Sequence, residues 1–496
     1  MESLLKSDAP AKDERNELVQ EEPTRNLPQF LAATAASLIL MIAGTNLGWT
    51  SPVLPKLMAE NSSIPVTSDE STWIGSLVAI GAILGPFPAG VAADLIGTKR
   101  ALLFTALPYV ASWAVLAVAK GVPLIYAGRV LAGLANGWGM TLLPMYIGEI
   151  ATAAERGALG VIGQILITSG FLYVYILGPI LSYVWLNVFC SFIPMAFFIF
   201  FYFMPESPYY ELKKNNYERA GKCLAKLRGK TVQGVKEELN TLRVRNPIHL
   251  RMNPFQCDNL TNNIYVRQVA VEESNRNVGS WAEVFSVRGN RRAVGIMFGL
   301  MAVQQFSGIN CVLFYSENIF KKAGSSLSPD LATVVVGFVM FLASFPTPYL
   351  IEQLGRRMVL ILSAIGMTIF QAIIGGFFYM ETLSYQTSKI AWLPLASIIG
   401  YISLYSLGIG PVPWAMIGEM FASNIRSKGA SMTASFSWLL AFFMTKSFGL
   451  IVEVMGSHWA FWLFAAFCAL GVTFIYFCLP ETKGKTLEEI QDMLNE

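Results

Sequence analysis

Twelve apolar segments of about 20 residues, parted six and six by a charged stretch, leave this chain few folds to adopt. About 20 residues of helix cross the hydrocarbon of a bilayer, where every backbone N–H and C=O must be satisfied within the protein. The segments lie approximately at 29–48, 71–93, 101–119, 123–148, 158–181 and 185–204, then at 293–316, 331–351, 358–380, 391–418, 430–452 and 458–479. The pattern predicts an all-α membrane protein: a polar tail over 1–28, a six-helix bundle over 29–205, a central loop with short helices over 206–292, a second bundle over 293–480 and a tail over 481–496. Charged residues are 14% of the chain, against about 25% in soluble domains, and the remaining question is what such a fold carries.

Orientation follows from the basic residues. Sixteen of the 36 lysines and arginines fall in 206–292, so the positive-inside rule places that loop and both termini in the cytoplasm. Lys56, Lys120, Lys321, Lys322 and Lys389 would then lie outside and weaken the bias. The expected location is the cell membrane, with an internal vesicle membrane as the alternative. Asn61-Ser62-Ser63 falls in the first external loop as a glycosylation acceptor, whereas Asn259-Leu260-Thr261 falls in the central loop and is expected to stay unmodified. A net charge of +3 gives no reason to expect nucleic acid as a partner.

The first 25 residues mix acids with basic residues and resemble no cleavable leader, so the first span is expected to direct insertion. The six cysteines sit in apolar runs or the central loop with no CxxC spacing, which predicts no disulfide and no metal site. Two histidines, His249 and His458, and no nucleophile elbow or phosphate-cradling loop argue against an enzyme, and no cofactor is expected.

One span breaks the apolar rule. Gln304 to Tyr315 reads QQFSGINCVLFY, with two glutamines, a serine and an asparagine at membrane depth. Such groups are kept where they face protein, water or a ligand. At 100° per residue Asn310 lies about 120–140° from Gln304 and Gln305, so the three amides share a cavity only if the helix loosens at Ser307–Gly308. A broken polar helix at this depth is the mark of a transport site.

The halves also repeat each other. Asp94-Leu-Ile-Gly97-Thr-Lys99-Arg100 is echoed by Glu352-Gln-Leu-Gly355-Arg356-Arg357. Glu149 and Arg156 are echoed by Glu419 and Arg426, and Pro205-Glu206-Ser207 by Pro480-Glu481-Thr482. Three matches in one order indicate duplication, hence two pseudo-symmetric bundles with a site between them. All these charges, with Lys99, fall at cytoplasmic helix ends, where a network between the halves would hold that side shut and release it as they rock. Helical stretches at 217–227 and 235–242 could latch the bundles, lie on the membrane or simply link them.

These residues resemble the sugar porters of the major facilitator superfamily over nearly the whole chain. The likeness is carried by Gly128-Arg129, Pro144-Met-Tyr146-Ile-Gly-Glu149 with Arg156-Gly157, Gln304-Gln305-Phe-Ser-Gly-Ile-Asn310, Gly410-Pro-Val-Pro-Trp414 and Pro480-Glu-Thr-Lys-Gly484. Within that family Gly44-Thr-Asn46-Leu-Gly48 and the residues to Pro52 are similar to insect facilitated trehalose transporters and to animal facilitative glucose transporters. The resemblance implies the major facilitator fold, a monomer working in the bilayer, a small sugar as substrate, and sugar ligands at Gln164, Gln304, Gln305, Asn310 and Trp414. Amides read hydroxyls, and rings stack on the C–H faces of a sugar.

Three positions depart from that family's glucose site: Met340 and Ser437 stand where asparagines are common, and Ser406 where many glucose transporters carry a glutamate. Met340 and Ser437 are counted with the substrate wall, and the loss of polar reach keeps a disaccharide, a hexose or a polyol in view. Asn46 stands where proton-coupled relatives carry an aspartate and cannot titrate, which implies a facilitator; a proton-coupled symporter and a non-transporting nutrient sensor are the alternatives.

Overall fold

The computed structural model describes residues 26–152, 155–244, 281–323, 327–422, 425–485 and 487–495. Ten helices among them are long and apolar enough to cross a membrane, or twelve when each of two bent pairs counts as one span. In chain order, span 1 is Leu27–Leu57, span 2 Ser68–Leu84 with Pro86–Ile96, span 3 Thr98–Val118, span 4 Val122–Ile150, span 5 Arg156–Ile180 and span 6 Tyr183–Tyr202. Span 7 is Arg288–Phe306 with Ile309–Lys322, span 8 Pro329–Ala343 with Thr347–Leu354, span 9 Arg356–Thr382, span 10 Leu393–Leu407 with Val412–Met420, span 11 Arg426–Met455 and span 12 Ser457–Cys478.

Local sequence accounts for the ends and bends. Thr67 and Glu70 form a reciprocal capping box that starts span 2. Proline lacks the N–H that would continue a helix, and spans 2 and 8 bend by 42° and 47° at Pro86 and next to Pro346. Without hydrophobic drive between helices in lipid, small residues set the closest approaches. A Cβ on Gly44 of span 1 would stand 2.1 Å from the Ile167 carbonyl of span 5, and one on Gly133 of span 4 would stand 2.0 Å from the Val78 carbonyl of span 2.

Spans 1–6 pack chiefly among themselves, as do spans 7–12. One end of the molecule, here the basal end, carries the short helices Pro208–Lys213, Tyr217–Arg228, Lys236–Val244 and Trp281–Ser286 and the last helix, Leu487–Asn495. The opposite end is the distal end. Residues 217–227 are helical as expected, and the helix expected from 235 starts at Lys236. These helices do not latch the halves together within the described residues. Arg228, buried, pairs with Glu238 at 2.7 Å and reaches Gln29 and the Ile150 carbonyl, all within the first half.

At the distal end the seam between the halves is closed. Lys446 of span 11 meets Asp69 at 2.6 Å and the Thr72 hydroxyl at 2.9 Å, and sits 4.3 Å over the Trp73 ring. Tyr175 donates its hydroxyl proton to the Leu313 carbonyl at 2.7 Å, and the Glu317 N–H donates to the Ser51 hydroxyl at 3.3 Å. The apolar core runs across this region, joining Trp49, Leu54 and Ile74 to Phe314, Tyr315 and Val336. Toward the basal end the halves part, and a gap of about 340 Å³ separates Phe87 of span 2 from Phe298 of span 7 and Met432 of span 11.

Candidate functional site

Span 7 breaks where the sequence requires it. The first segment ends at Phe306, Ser307 caps it, and Gly308 takes φ +78° before the helix restarts at Ile309. A side chain at 308 would also strike the Phe464 ring, 2.4 Å from the Cβ position. The carbonyl freed at Ser307 accepts from Gln371 Nε2 at 2.5 Å and from the Tyr401 hydroxyl at 3.0 Å. Spans 9 and 10 thus satisfy the break. Gln371 and Tyr401 escape the sequence reading, although an amide inside the apolar 356–382 helix was the available signal.

The break brings the amides together unequally. Asn310 Nδ2 donates to Gln305 Oε1 at 2.6 Å, and Gln305 Nε2 donates to the Ser437 hydroxyl at 2.9 Å. Gln305 and Ser437 are buried, whereas Asn310 is half-buried, and no hydrogen bond to its carbonyl oxygen is found among the described residues. Gln304 turns away: its amide nitrogen spans the Ile409 and Gly410 carbonyls at 2.7 and 2.8 Å, where span 10 is broken. In this conformation it ties span 7 to span 10, and its donors are not free for a sugar.

Trp414 follows that break and is half-buried. Gln164 of span 5 is half-buried, and no hydrogen-bond partner for its side chain is found among the described residues. Four residues on, the Thr168 hydroxyl lies 3.4 Å from that of Ser344 across the seam. Met340 is 3% exposed and shares a helix face with Ser344 and Gly337, whose Cβ position lies 2.8 Å from the Tyr175 ring. Position 340 therefore sits on the span 5 side of the seam. Ser406 is buried, its carbonyl accepting from Thr347 of span 8 at 3.1 Å.

Arg129 is fully buried in the first half. Its Nη1 donates to the Asn46 carbonyl at 2.7 Å and its Nε to the Ile74 carbonyl at 3.0 Å, with the Trp49 ring 5.3 Å away. No carboxylate among the described residues pairs with it.

The basal charges are placed twice over, once in each half. Glu206 accepts from the backbone N–H of Lys99 at 2.8 Å, while Glu481 accepts from those of Arg356 and Arg357 at 3.0 Å each. Glu149 accepts from the Thr98 hydroxyl at 2.8 Å; Glu419 takes Arg356 at 2.9 Å and the Thr482 hydroxyl at 2.6 Å. Asp94 pairs with Lys213, and Arg357 donates to the Tyr476 carbonyl. Arg100 and Glu352 are exposed, and Arg426 is half-buried at the head of span 11; of Arg156 only the helical backbone is described.

Each of these contacts stays inside its own half, so they do not themselves supply the expected network between the halves. Burial pushes the Glu206 carboxyl above the usual range against the pull of the Ser207 and Lys99 N–H groups. Asn61 is exposed on the distal connection, and Asn259 lies outside the described residues.

Residues 32–494 match the family described as "Sugar (and other) transporter". The chain is 36% identical to the facilitated trehalose transporter Tret1-2 homolog of Drosophila simulans, over 93% of this chain and 90% of that one. It is 34% identical to the facilitated trehalose transporter Tret1 of Bombyx mori over 93% and 86%. Against Tret1 of Drosophila mojavensis, also 34% identical, it spans 51% of the relative's length. Among solved structures, the xylose transporter XylE from E. coli in an inward-open conformation superposes with a TM-score of 0.72 at 22% identity, covering 95% of this chain and 100% of that one. The proton:xylose symporter XylE bound to 6-bromo-6-deoxy-D-glucose gives 0.73 at 23%, with the same coverage. At these identities the likeness speaks to the fold.

Proposed function

The chain belongs to the sugar (and other) transporter family, a membrane-embedded carrier with many spans, and from that premise we propose that it moves trehalose or a hexose down its gradient by alternating access. The observation that carries this reading is the broken span 7. It leaves Asn310, steadied by Gln305 and Ser437, half-buried between halves that are joined distally and parted basally.

Asn310 and Gln164 would read hydroxyls from the two halves, and Trp414 would stack on the ring C–H face. Gln305 and Ser437 hold Asn310, Gln304 holds the two broken helices together, and Met340 presents a thioether where the wall meets span 5. Rocking that parts the Lys446–Asp69 contact would expose the same residues distally. We place the basal end in the cytoplasm, from the basic residues of 206–292, and Asn61 outside as a glycan acceptor. The carrier works as a monomer. The absence of coupling is supported by Asn46, whose side chain cannot titrate and whose carbonyl, with that of Ile74, takes the hydrogen bonds of Arg129.

The test is uptake of labelled trehalose, glucose and polyols into liposomes with no pH gradient. Saturable uptake of one of them is expected, with a KM raised about tenfold in Asn310→Leu from the lost hydrogen bonds. Uptake that needs an inward proton gradient would replace this reading with symport, and no uptake of any solute would replace it with a sensor.

A further inference from the structure

The basal end of span 6 gathers more cations than acids. Span 6 has 20 residues, about 30 Å of helix and the thickness of the hydrocarbon, so its last carbonyls lie where acyl chains give way to headgroups. Two carbonyls there are taken by lysines from other elements. Lys99, near the start of span 3, donates from Nζ to the Tyr202 carbonyl at 2.8 Å, and Lys226, on the basal helix Tyr217–Arg228, donates from Nζ to the Phe203 carbonyl at 2.8 Å. Successive carbonyls thus hold two ammonium groups side by side, within electrostatic reach of each other and of Arg100.

Lys226 and Arg100 are exposed and Lys99 is half-buried, and none of the three forms an ion pair among the described residues. The acid that stands near is Glu206, half-buried, which spends its carboxylate on the N–H groups of Lys99 and Ser207. Lys222, one turn before Lys226 on the same helix, differs: Glu218 neutralises it. Each ammonium has three protons, so Lys99 and Lys226 keep donors beyond their carbonyl bonds. On the hydrocarbon side the corner is aromatic. Lys99 sits 5.8 Å over the Tyr202 ring, Phe198 stacks on Tyr202 at 6.3 Å one turn further in, and Phe198, Tyr202 and Phe203 are exposed.

We propose that this corner is a binding site for an anionic phospholipid, with the headgroup phosphate on Lys99 and Lys226 within reach of Arg100, and one acyl chain along Phe198 and Tyr202. The lipid's charge answers the excess of cations, and the exposed rings flank its chain at the interface. The site joins the basal helix to spans 3 and 6, all in the first half, so the lipid fastens that half to its leaflet without standing in the sugar path. The cytoplasmic placement proposed above enters only in naming the leaflet that supplies the lipid.

The site can be tested without any transport assay, so its failure leaves the sugar reading untouched. Full-length protein in phosphatidylcholine vesicles is photolabelled with a trace of phosphatidylserine carrying a diazirine midway along one acyl chain. Label is expected on the peptide holding Phe198 and Tyr202. It should fall about fivefold in Lys226→Gln and on the order of thirtyfold in Arg100→Gln with Lys226→Gln, given roughly one basic-residue increment each. Glutamine keeps a donor for the Phe203 carbonyl, so the melting temperature should hold. Lys222→Gln, which removes a charge already paired with Glu218, should leave labelling nearly unchanged. An equal fall in Lys222→Gln, equal labelling by phosphatidylcholine with the same tail, label spread over the outer helix faces, or label displaced by inorganic phosphate would each overturn the proposal.

Discussion

At the distal end Lys446 reaches from span 11 to Asp69 and Thr72 of span 2, whereas at the basal end Arg356 spends its charge on Glu419 in its own half. The distal contacts cross the seam, and those of Lys446 end on side chains that can let go. The basal ones are many, stay within a half and end largely on backbone N–H groups at helix starts. A charge at a helix end is therefore no gate by itself; which half holds its partner decides whether it resists rocking or merely stiffens the body that rocks.

The strongest way to break this contrast is Glu481→Ala. It removes an acceptor from the N–H groups of Arg356, Arg357, Thr482 and Lys483, and should cost about 3 kcal/mol. A lower melting temperature with unchanged accessibility of distal and basal cysteine probes is expected. A shift in accessibility at constant stability would show that the residue spans the seam after all.

Next comes Met340→Asn, midway along the seam. A buried amide without a partner costs about 1–3 kcal/mol, and one that finds a sugar hydroxyl recovers part of it. The competition profile among sugars should change severalfold; an unchanged profile would remove position 340 from the site.

Lys446→Met should weaken the distal seal by only about 1 kcal/mol, since Asp69 is largely exposed and solvent screens the pair while the Trp73 contact adds a little. Distal labelling should rise about fivefold, with the melting temperature held. Labelling that does not move would mean the apolar contacts alone close that end.

The smallest effect is on pH. Because Glu206 holds its proton more tightly when folded, the folded chain binds more protons than the unfolded one between the ordinary carboxylate range and the raised value. Its contribution to stability should therefore decline as pH rises through that window, and Glu206→Gln should flatten the slope in thermal melts. A slope that persists in the variant would assign it to another carboxylate.

The spans and the break at Ser307–Gly308 could be read from the sequence because both follow from local chemistry: hydrocarbon selects continuous apolar runs, and one glycine marks where a helix carrying two glutamines, a serine and an asparagine can loosen. The partners of the polar groups could not. Gln304 and Gln305 are neighbours of one type, yet one grips the Ile409 and Gly410 carbonyls and the other bonds Asn310 and Ser437, a choice made by how span 10 breaks. The partners of the basal charges were illegible for a related reason: their spacing records the duplication, but whether they meet across the seam depends on which way the halves are rocked. Lys446, a lone cation deep in an apolar segment, was the legible sign of the distal seal that the reading passed over.

The paired grips of Glu206 and Glu481 have a consequence for variation. A main-chain N–H is the same group whichever residue supplies it, so Lys99 in one half and Arg357 in the other answer to the matching carboxylate. The identity at those positions is free to drift. The glycines before them are not: Gly97 and Gly355 hold φ +97° and +84°, and a Cβ would lie 2.8 and 2.7 Å from the two carboxylates. Saturating positions 99 and 357 should leave a population of working carriers, while saturating 97 and 355 should return almost only glycine; the duplicated motif is kept by its silent residues more than by its charged ones.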